Sequence, residues 1–254
     1  MADLPEGFLT RPLAHRALHD VSDGRPENSR AAISAAISAG YGIEIDVQRS
    51  ADDVPVAFHD YHLGRLTGTT GLVAEQPAKD LEQTRLTGGH EGIPTLGEVL
   101  DIVAGKVPLL VEIKDQDGAM GPRVGPLEQA VAAVLRGYKG PVAVMSFNPY
   151  VVEKLAELMP DVPRGLVTSA QRDDDTDASE NRREELRQIP DYDRLACSFI
   201  SHDRHDLDRP RVAELKARGA RIICWTVKSP AQEAEARKIA ENITFEQYRP
   251  AFPA

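Results

Sequence analysis

Short β-rich apolar runs alternate with helical patterns along almost the whole chain. Strands are expected at Pro12–His15, Gly42–Val47, Val107–Ile113, Val142–Met145, Gly165–Thr168, Leu195–Phe199 and Arg221–Val227, with a weaker eighth at Asn242–Phe245. Helical stretches fall between them near 28–39, 95–104, 126–137, 149–159, 178–188, 209–218 and 230–241. Units of this kind build a parallel sheet covered by helices. The 254 residues accommodate about eight such units, so a closed (β/α)8 TIM barrel is expected ahead of an open doubly wound sheet. The chain reads as one barrel domain, 1–254, interrupted at about 61–93 by a polar, Gly- and Thr-rich insertion too long for an ordinary connection. A second interruption, Gln171–Asn181, carries the acidic run Asp173–Asp177. It reads as a solvated loop entering a helix, because the Gly and distal Glu of a calcium-binding EF-hand loop are missing.

Charge narrows the function classes. A formal net charge of −10 argues against nucleic-acid binding, which draws its affinity from phosphate neutralisation. Cys197 and Cys224 have neither metal-site nor disulfide-framework spacing and read as small buried apolar residues. Without an apolar leader or a run of 18 apolar residues, a cytoplasmic protein lacking stable membrane association is expected.

The segment Ile43-Glu-Ile-Asp-Val47 carries the strongest chemical signal. Side chains alternate along a strand, and helices cover the outside of a parallel barrel, so Ile43, Ile45 and Val47 face outward and Glu44 and Asp46 face the lumen. Val111-Glu-Ile-Lys114 repeats the pattern and sends Glu112 and Lys114 inward. Three carboxylates converging in a lumen require positive charge among them. A hard divalent cation, Mg²⁺ or Ca²⁺, meets that need, and so does an internal ion-pair network with Lys114 and Arg16. His15 closes the first strand and His59 follows Val54-Pro-Val-Ala57, placing both at strand C-terminal ends, the catalytic face of a barrel. Histidine can take and return protons near neutral pH, as displacement at phosphorus requires.

Together these residues resemble the glycerophosphodiester phosphodiesterase family. The matching pieces are Ala14-His15-Arg16, Pro26-Glu-Asn28-Ser29, Glu44-Ile-Asp46-Val47, Phe58-His59-Asp60, Arg65-Leu-Thr67-Gly68, Ile93-Pro-Thr-Leu96, Glu112-Ile-Lys114, Met145-Ser-Phe147 and Trp225-Thr-Val227, in family order. The resemblance implies a TIM barrel with a small insertion after the second strand. It also implies one divalent cation on Glu44, Asp46 and Glu112, with His15 and His59 as the acid/base pair. Arg16 and Lys114 would hold phosphate oxygens, and Asn28 would lie near the substrate. The implied partner is a small glycerophosphodiester, cleaved to glycerol 3-phosphate and an alcohol through attack of the neighbouring glycerol hydroxyl and a cyclic phosphate. His15 is assigned as base and His59 as acid, an order that residue types alone leave open.

Two departures from the family stand out. Ala17 replaces the usual Gly after His15-Arg16, with little effect expected, and Asn242-Ile-Thr-Phe-Glu-Gln-Tyr-Arg-Pro250 replaces a Gly-Ile-Ile-Thr-Asp-like ending. Phe245, Glu246 and Tyr248 either take over those contacts or only pack the floor and rim. Trp225 and Phe147 read either as packing or as walls against substrate. His62 and His90, in the insertion, read as solvated, and His202 and His205 as surface residues on a loop; His19 and Asp20 have no assigned role. Two other functions fit the same barrel: a phospholipase D- or sphingomyelinase D-like lyase that stops at a cyclic phosphate, and a non-catalytic phosphodiester-binding barrel.

Overall fold

The computed structural model describes residues 2–172 and 177–253, and most of the acidic run Asp173–Asp177 lies outside them. The strands are β1 (Leu13–Ala14), β2 (Gly42–Arg49), β3 (Pro55–Ala57), β4 (Leu109–Ile113), β5 (Val142–Ser146), β6 (Arg164–Thr168), β7 (Phe199–Asp203), β8 (Arg221–Val227) and β9 (Asn242–Phe245). Eight of them run parallel. β1 pairs with both β2 and β9, which closes the ring in the order β1-β2-β4-β5-β6-β7-β8-β9. The expected TIM barrel is therefore the fold, and the weak eighth strand is the one that closes it. Between the strands run helices close to the expected stretches: Arg30–Ala39, Leu96–Val103, Pro126–Leu135, Pro149–Leu158, Glu180–Arg187, Pro210–Ala217 and Pro230–Ala236.

Local signals fix the element ends. Ser29 accepts from Ala32 N at the start of the first of these helices, and Gly40 ends it at φ 80°. Thr95 and Glu98 form a reciprocal capping box at the start of the next. The alternation on β2 and β4 falls as expected, with Ile43, Ile45, Val47, Val111 and Ile113 in the large apolar layer shared with the helices. Inside the ring, Phe8, Leu13, Leu110, Ala143, Met145, Val167, Phe199 and Ile223 fill the base. Asn242 seals it by donating to Phe8 O and Arg11 O at 2.7 and 2.6 Å. The charged side chains of β2 and β4 thereby stand above an apolar base.

Residues 61–93 form a lobe with two short helices, Gly64–Thr67 and Ala78–Gln83, over their own core of Phe58, Leu63, Val73, Leu81, Leu86 and Ile93. The route to this lobe differs from the expectation for His59. β3 is not a barrel strand; it folds back antiparallel on the end of β2, with Val47 opposite Ala57, and delivers His59 from above. A second correction concerns β7. The run Leu195–Phe199 is mostly turn, and the strand begins only at Phe199, so His202 lies on a strand and is wholly buried. No helix among the described residues is long and apolar enough to cross a membrane.

The base is packed tightly enough to give a stability prediction. A Cβ on Gly165, in β6, would sit 2.5 Å from the buried ring of Phe199. Gly165→Ala should lower the unfolding free energy by about 1–3 kcal/mol in urea titrations. A variant as stable as the wild type would show that the ring moves aside freely.

Candidate active site

The upper lumen brings Glu44, Asp46 and Glu112 together, all buried, with one carboxylate oxygen of each within 4.8 Å of the others. Lys114 Nζ bridges Asp46 Oδ1 at 2.7 Å and Glu112 Oε1 at 2.5 Å. Asp46 also faces Arg16 Nε at 3.5 Å and accepts from Asn28 Nδ2 at 3.0 Å. Among the described residues Glu44 receives only the backbone N–H of Arg16, at 2.9 Å, and Arg16 shares its charge with Glu27 at 2.8 Å. The local cations thus leave the three acids incompletely neutralised. Burial, reinforced by Asp46 and Glu112, pushes the Glu44 carboxyl well above its usual range. Burial opposes the charge on Asp46 as well, but Lys114, His59, Arg16 and His15 outweigh it and hold that carboxyl well below. Three close oxygen donors with excess negative charge fit a hard divalent cation bound by Glu44, Asp46 and Glu112, with Lys114 beside it.

Each histidine has its own carboxylate. His15 Nδ1 lies 3.0 Å from Glu246 Oε2, and His59 Nδ1 lies 2.7 Å from Asp60 Oδ1. An ionised carboxylate can only accept, so Nδ1 carries the proton in both rings and Nε2 is left to exchange one. Burial lowers the His15 pKa below the ordinary imidazole value, against the opposing pull of Glu246, and so favours the neutral ring. Both carboxylates are steadied in turn. Lys228 Nζ lies 2.6 Å from Glu246 and His19 Nε2 lies 3.5 Å from it, while Arg65 grips Asp60 with Nε and one terminal nitrogen at 2.7 Å each. Burial works against their charges, yet these partners hold both Glu246 and Asp60 far below the usual carboxylate range. Arg65 also donates to Glu27, which links the insertion to Arg16.

Two connected chambers meet at this cluster. The inner one, about 140 Å³, is lined by His15, Arg16, the three acids and an opposite wall that includes Met145, Val167 and Ser201. The outer one, about 490 Å³, opens past Tyr61, His62, Met120 and Gln171. His59, Glu112, Lys114, Phe147 and Trp225 border both. The two aromatic rings meet edge to face with centroids 5.6 Å apart. Phe147 and Trp225 therefore form chamber walls as well as packing.

Several assignments from the sequence change. Asn28, expected against substrate, stands behind Asp46, accepting from its backbone N–H at 3.2 Å as well as donating to its carboxylate. His202 is not a surface residue: it faces the helices, 2.7 Å from Thr168 Oγ1 and 3.1 Å from Asp206 O. His205 is exposed, as expected, with its ring beside Asp203 at 3.0 Å. His62 is exposed at the outer rim, and exposed His90 lies 2.9 Å from Arg85. Ala17 takes the left-handed backbone, φ 65°, that the family's Gly would adopt freely. Both thiols are buried and pushed up to about 12. The sequence reading missed Glu246 and Asp60 as partners of the histidines. The available signal was an acid next to a strand end or next to a histidine.

Two outcomes test this electrostatic picture. In chelator-treated protein, Glu44→Gln should leave the unfolding free energy unchanged or raised. Ca²⁺ or Mg²⁺ at about 100 Kd should stabilise the wild type by about 2.7 kcal/mol and this variant hardly at all, as measured by thermal unfolding. The second concerns pH. Burial lowers the His202 pKa below its ordinary 6.5. The unfolded chain then takes up a proton that the folded one refuses, so stability is lost as pH falls through 6.5 toward the depressed value. His202→Asn should flatten that part of the stability profile relative to wild type; parallel profiles would contradict it.

Comparison with known proteins agrees with this geometry. Residues 15–243 match the model of the Glycerophosphoryl diester phosphodiesterase family. YhdW of Bacillus subtilis is 28% identical over 88% of each chain. The glycerophosphodiester phosphodiesterase of Caldanaerobacter subterraneus subsp. tengcongensis is 31% identical over 62% of this chain and 66% of its own. Among solved structures, an Oleispira antarctica phosphodiesterase in complex with the product sn-glycerol-3-phosphate superposes with a TM-score of 0.77 at 26% identity, covering 95% of this chain and 94% of its own. The chain belongs to the glycerophosphoryl diester phosphodiesterase family, a family of enzymes.

Proposed function

We propose that this enzyme hydrolyses glycerophosphodiesters to sn-glycerol 3-phosphate and a free alcohol, with His15 as general base and His59 as general acid. The observation that carries the reading is the unequal placement of the two rings: both line the inner chamber, but only His59 also borders the outer one. A glycerol moiety in the inner chamber would present its vicinal hydroxyl to the largely buried His15, whose lowered pKa favours a neutral ring with Nε2 free to take the proton. The alkoxide of the leaving alcohol would depart into the outer chamber past His59, which in its imidazolium form would donate the Nε2 proton to it and keep Nδ1–H on Asp60. Attack by the vicinal hydroxyl gives a cyclic phosphate, and reversal of the two histidine roles lets water open it.

Glu44, Asp46 and Glu112 would hold a divalent cation, which when bound would supply Lewis-acid stabilisation of the charge on the phosphoryl group. Lys114 and Arg16 add fixed positive charge on the same side. Asp46 and Glu112 hold the Lys114 ammonium charged despite its burial. Asn28 and the Arg16 backbone N–H keep the carboxylates in place. The oxygen donors do not choose between Mg²⁺ and Ca²⁺, and the wide outer chamber accepts alcohols of different size.

The acid and base roles separate by leaving group. On glycerophosphoethanolamine, His59→Ala should lower kcat by about 100-fold or more. On glyceryl p-nitrophenyl phosphate, whose phenolate leaves unaided, the same variant should lose far less, whereas His15→Ala should lose on both. The opposite pattern would exchange the roles. Chelation with EDTA should abolish turnover, and phosphorus NMR should show glycerol 3-phosphate accumulating. Persistent cyclic phosphate as the end product would make the enzyme a lyase, and absence of turnover with either metal would favour a binding barrel.

A further inference from the structure

Ser201 sits on β7 with its side chain wholly buried, facing the lumen like Phe199 and Asp203 on either side of it. In the closed ring β7 is the sixth strand and β2 the second, so Ser201 lies across the lumen from Glu44 and Asp46. It lines the inner chamber among apolar neighbours, Met145, Val167, Phe147 and Trp225. Its carbonyl is occupied by Trp225 Nε1 at 3.0 Å, which fixes the indole. Its hydroxyl has no hydrogen-bond partner among the described residues. By contrast Thr244, which also lines the chamber, donates its hydroxyl hydrogen bond to Cys224 O at 2.9 Å.

A buried hydroxyl left unpaired in an apolar wall is costly, and native interiors rarely keep one without a reason. Here the unpaired atom faces the chamber from the side opposite the charged cluster. We infer that Ser201 binds the terminal hydroxyl of the glycerol moiety, making the inner chamber selective for a three-carbon polyol. The inference rests on the assignment of the glycerol to the inner chamber. With phosphorus at the acids, Arg16 and Lys114, and the vicinal hydroxyl at His15, the remaining carbinol is the part left to reach the far wall. A hydroxyl both donates and accepts, so it satisfies Ser201 fully; a methyl group in its place satisfies nothing.

Two esters isolate this contact. Glyceryl p-nitrophenyl phosphate carries both hydroxyls, and 2-hydroxypropyl p-nitrophenyl phosphate keeps the vicinal one but ends in a methyl. With metal-loaded full-length enzyme, wild type should favour the glyceryl ester about tenfold in kcat/KM. Ser201→Ala should lose about tenfold on the glyceryl ester and stay within about twofold on the hydroxypropyl ester, which erases the preference. Calorimetric binding of sn-glycerol 3-phosphate and of propane-1,2-diol 1-phosphate in Ca²⁺ should show the same selective loss. The urea midpoint of Ser201→Ala should not fall, because no protein partner is lost. Equal losses on both esters, or none on either, would overturn the role of Ser201 while leaving the functional reading intact. A wild type inactive on both esters would overturn the two together.

Discussion

Three carboxylates held within one ion's reach inside an apolar tube impose the rest of this architecture. Charges so placed repel one another and are deprived of water, and the partners nearby do not balance them. Lys114 serves two acids at once, Arg16 is divided between Asp46 and Glu27, and Glu44 has, among the described residues, only a backbone N–H. A network built for stability alone would pair each acid. The deficit at Glu44 marks a cluster organised around something brought from outside, and the family's chemistry is consistent with that.

The sign of charge alternates outward from this centre. Around the acids stand Lys114, Arg16 and the two histidines; behind these stand Glu27, Asp60 and Glu246; behind those, Arg65 and Lys228. Each layer orients the one inside it. The histidines need this most, because a ring free to turn offers either nitrogen, whereas a ring held at Nδ1 offers one. The insertion contributes through Arg65, which holds the partner of His59 and the partner of Arg16 in a single guanidinium. The lobe is thus part of the electrostatic frame and not only a cover.

The sequence made the barrel readable because its strands are buried on both sides, and the acids of β2 and β4 interrupt apolar runs at the period of a strand. That period also assigned the faces of Glu44, Asp46 and Glu112 correctly. It failed on β7 for the same reason it succeeded elsewhere. Leu195-Ala-Cys-Ser-Phe199 is apolar but spent on turns under the helices, whereas Ser201-His-Asp203 is polar and yet strand, since one face looks into a polar lumen and His202 finds Thr168 and Asp206 on the other. Glu246 was considered at the rim but not paired with His15, because a carboxylate one residue beyond a weak strand has no periodic signature, and only closure of β9 on β1 brings it to His15. Asn28 read as a substrate residue because a polar residue beside the site gives no sign, in sequence, of which way it turns.

The two chambers divide recognition between different kinds of structure. Much of the inner chamber is built from strand residues, Glu44, Asp46, Glu112, Met145, Val167, Ser201 and Thr244, whose positions are fixed by the hydrogen-bonded ring. The outer chamber is walled mainly by connections, among them Tyr61, His62, Met120 and Gln171, and shares His59, Glu112, Lys114, Phe147 and Trp225 with the inner one. Groups held on strands keep their geometry to a fraction of an ångström, and loops vary without disturbing the fold beneath them. A substrate with one constant half and one variable half suits such a site. The constant glycerol phosphate would meet the ring, where displacement at phosphorus needs fixed geometry, and the alcohol would meet the loops, where different sizes can be accepted without moving Glu44, Asp46 or Glu112.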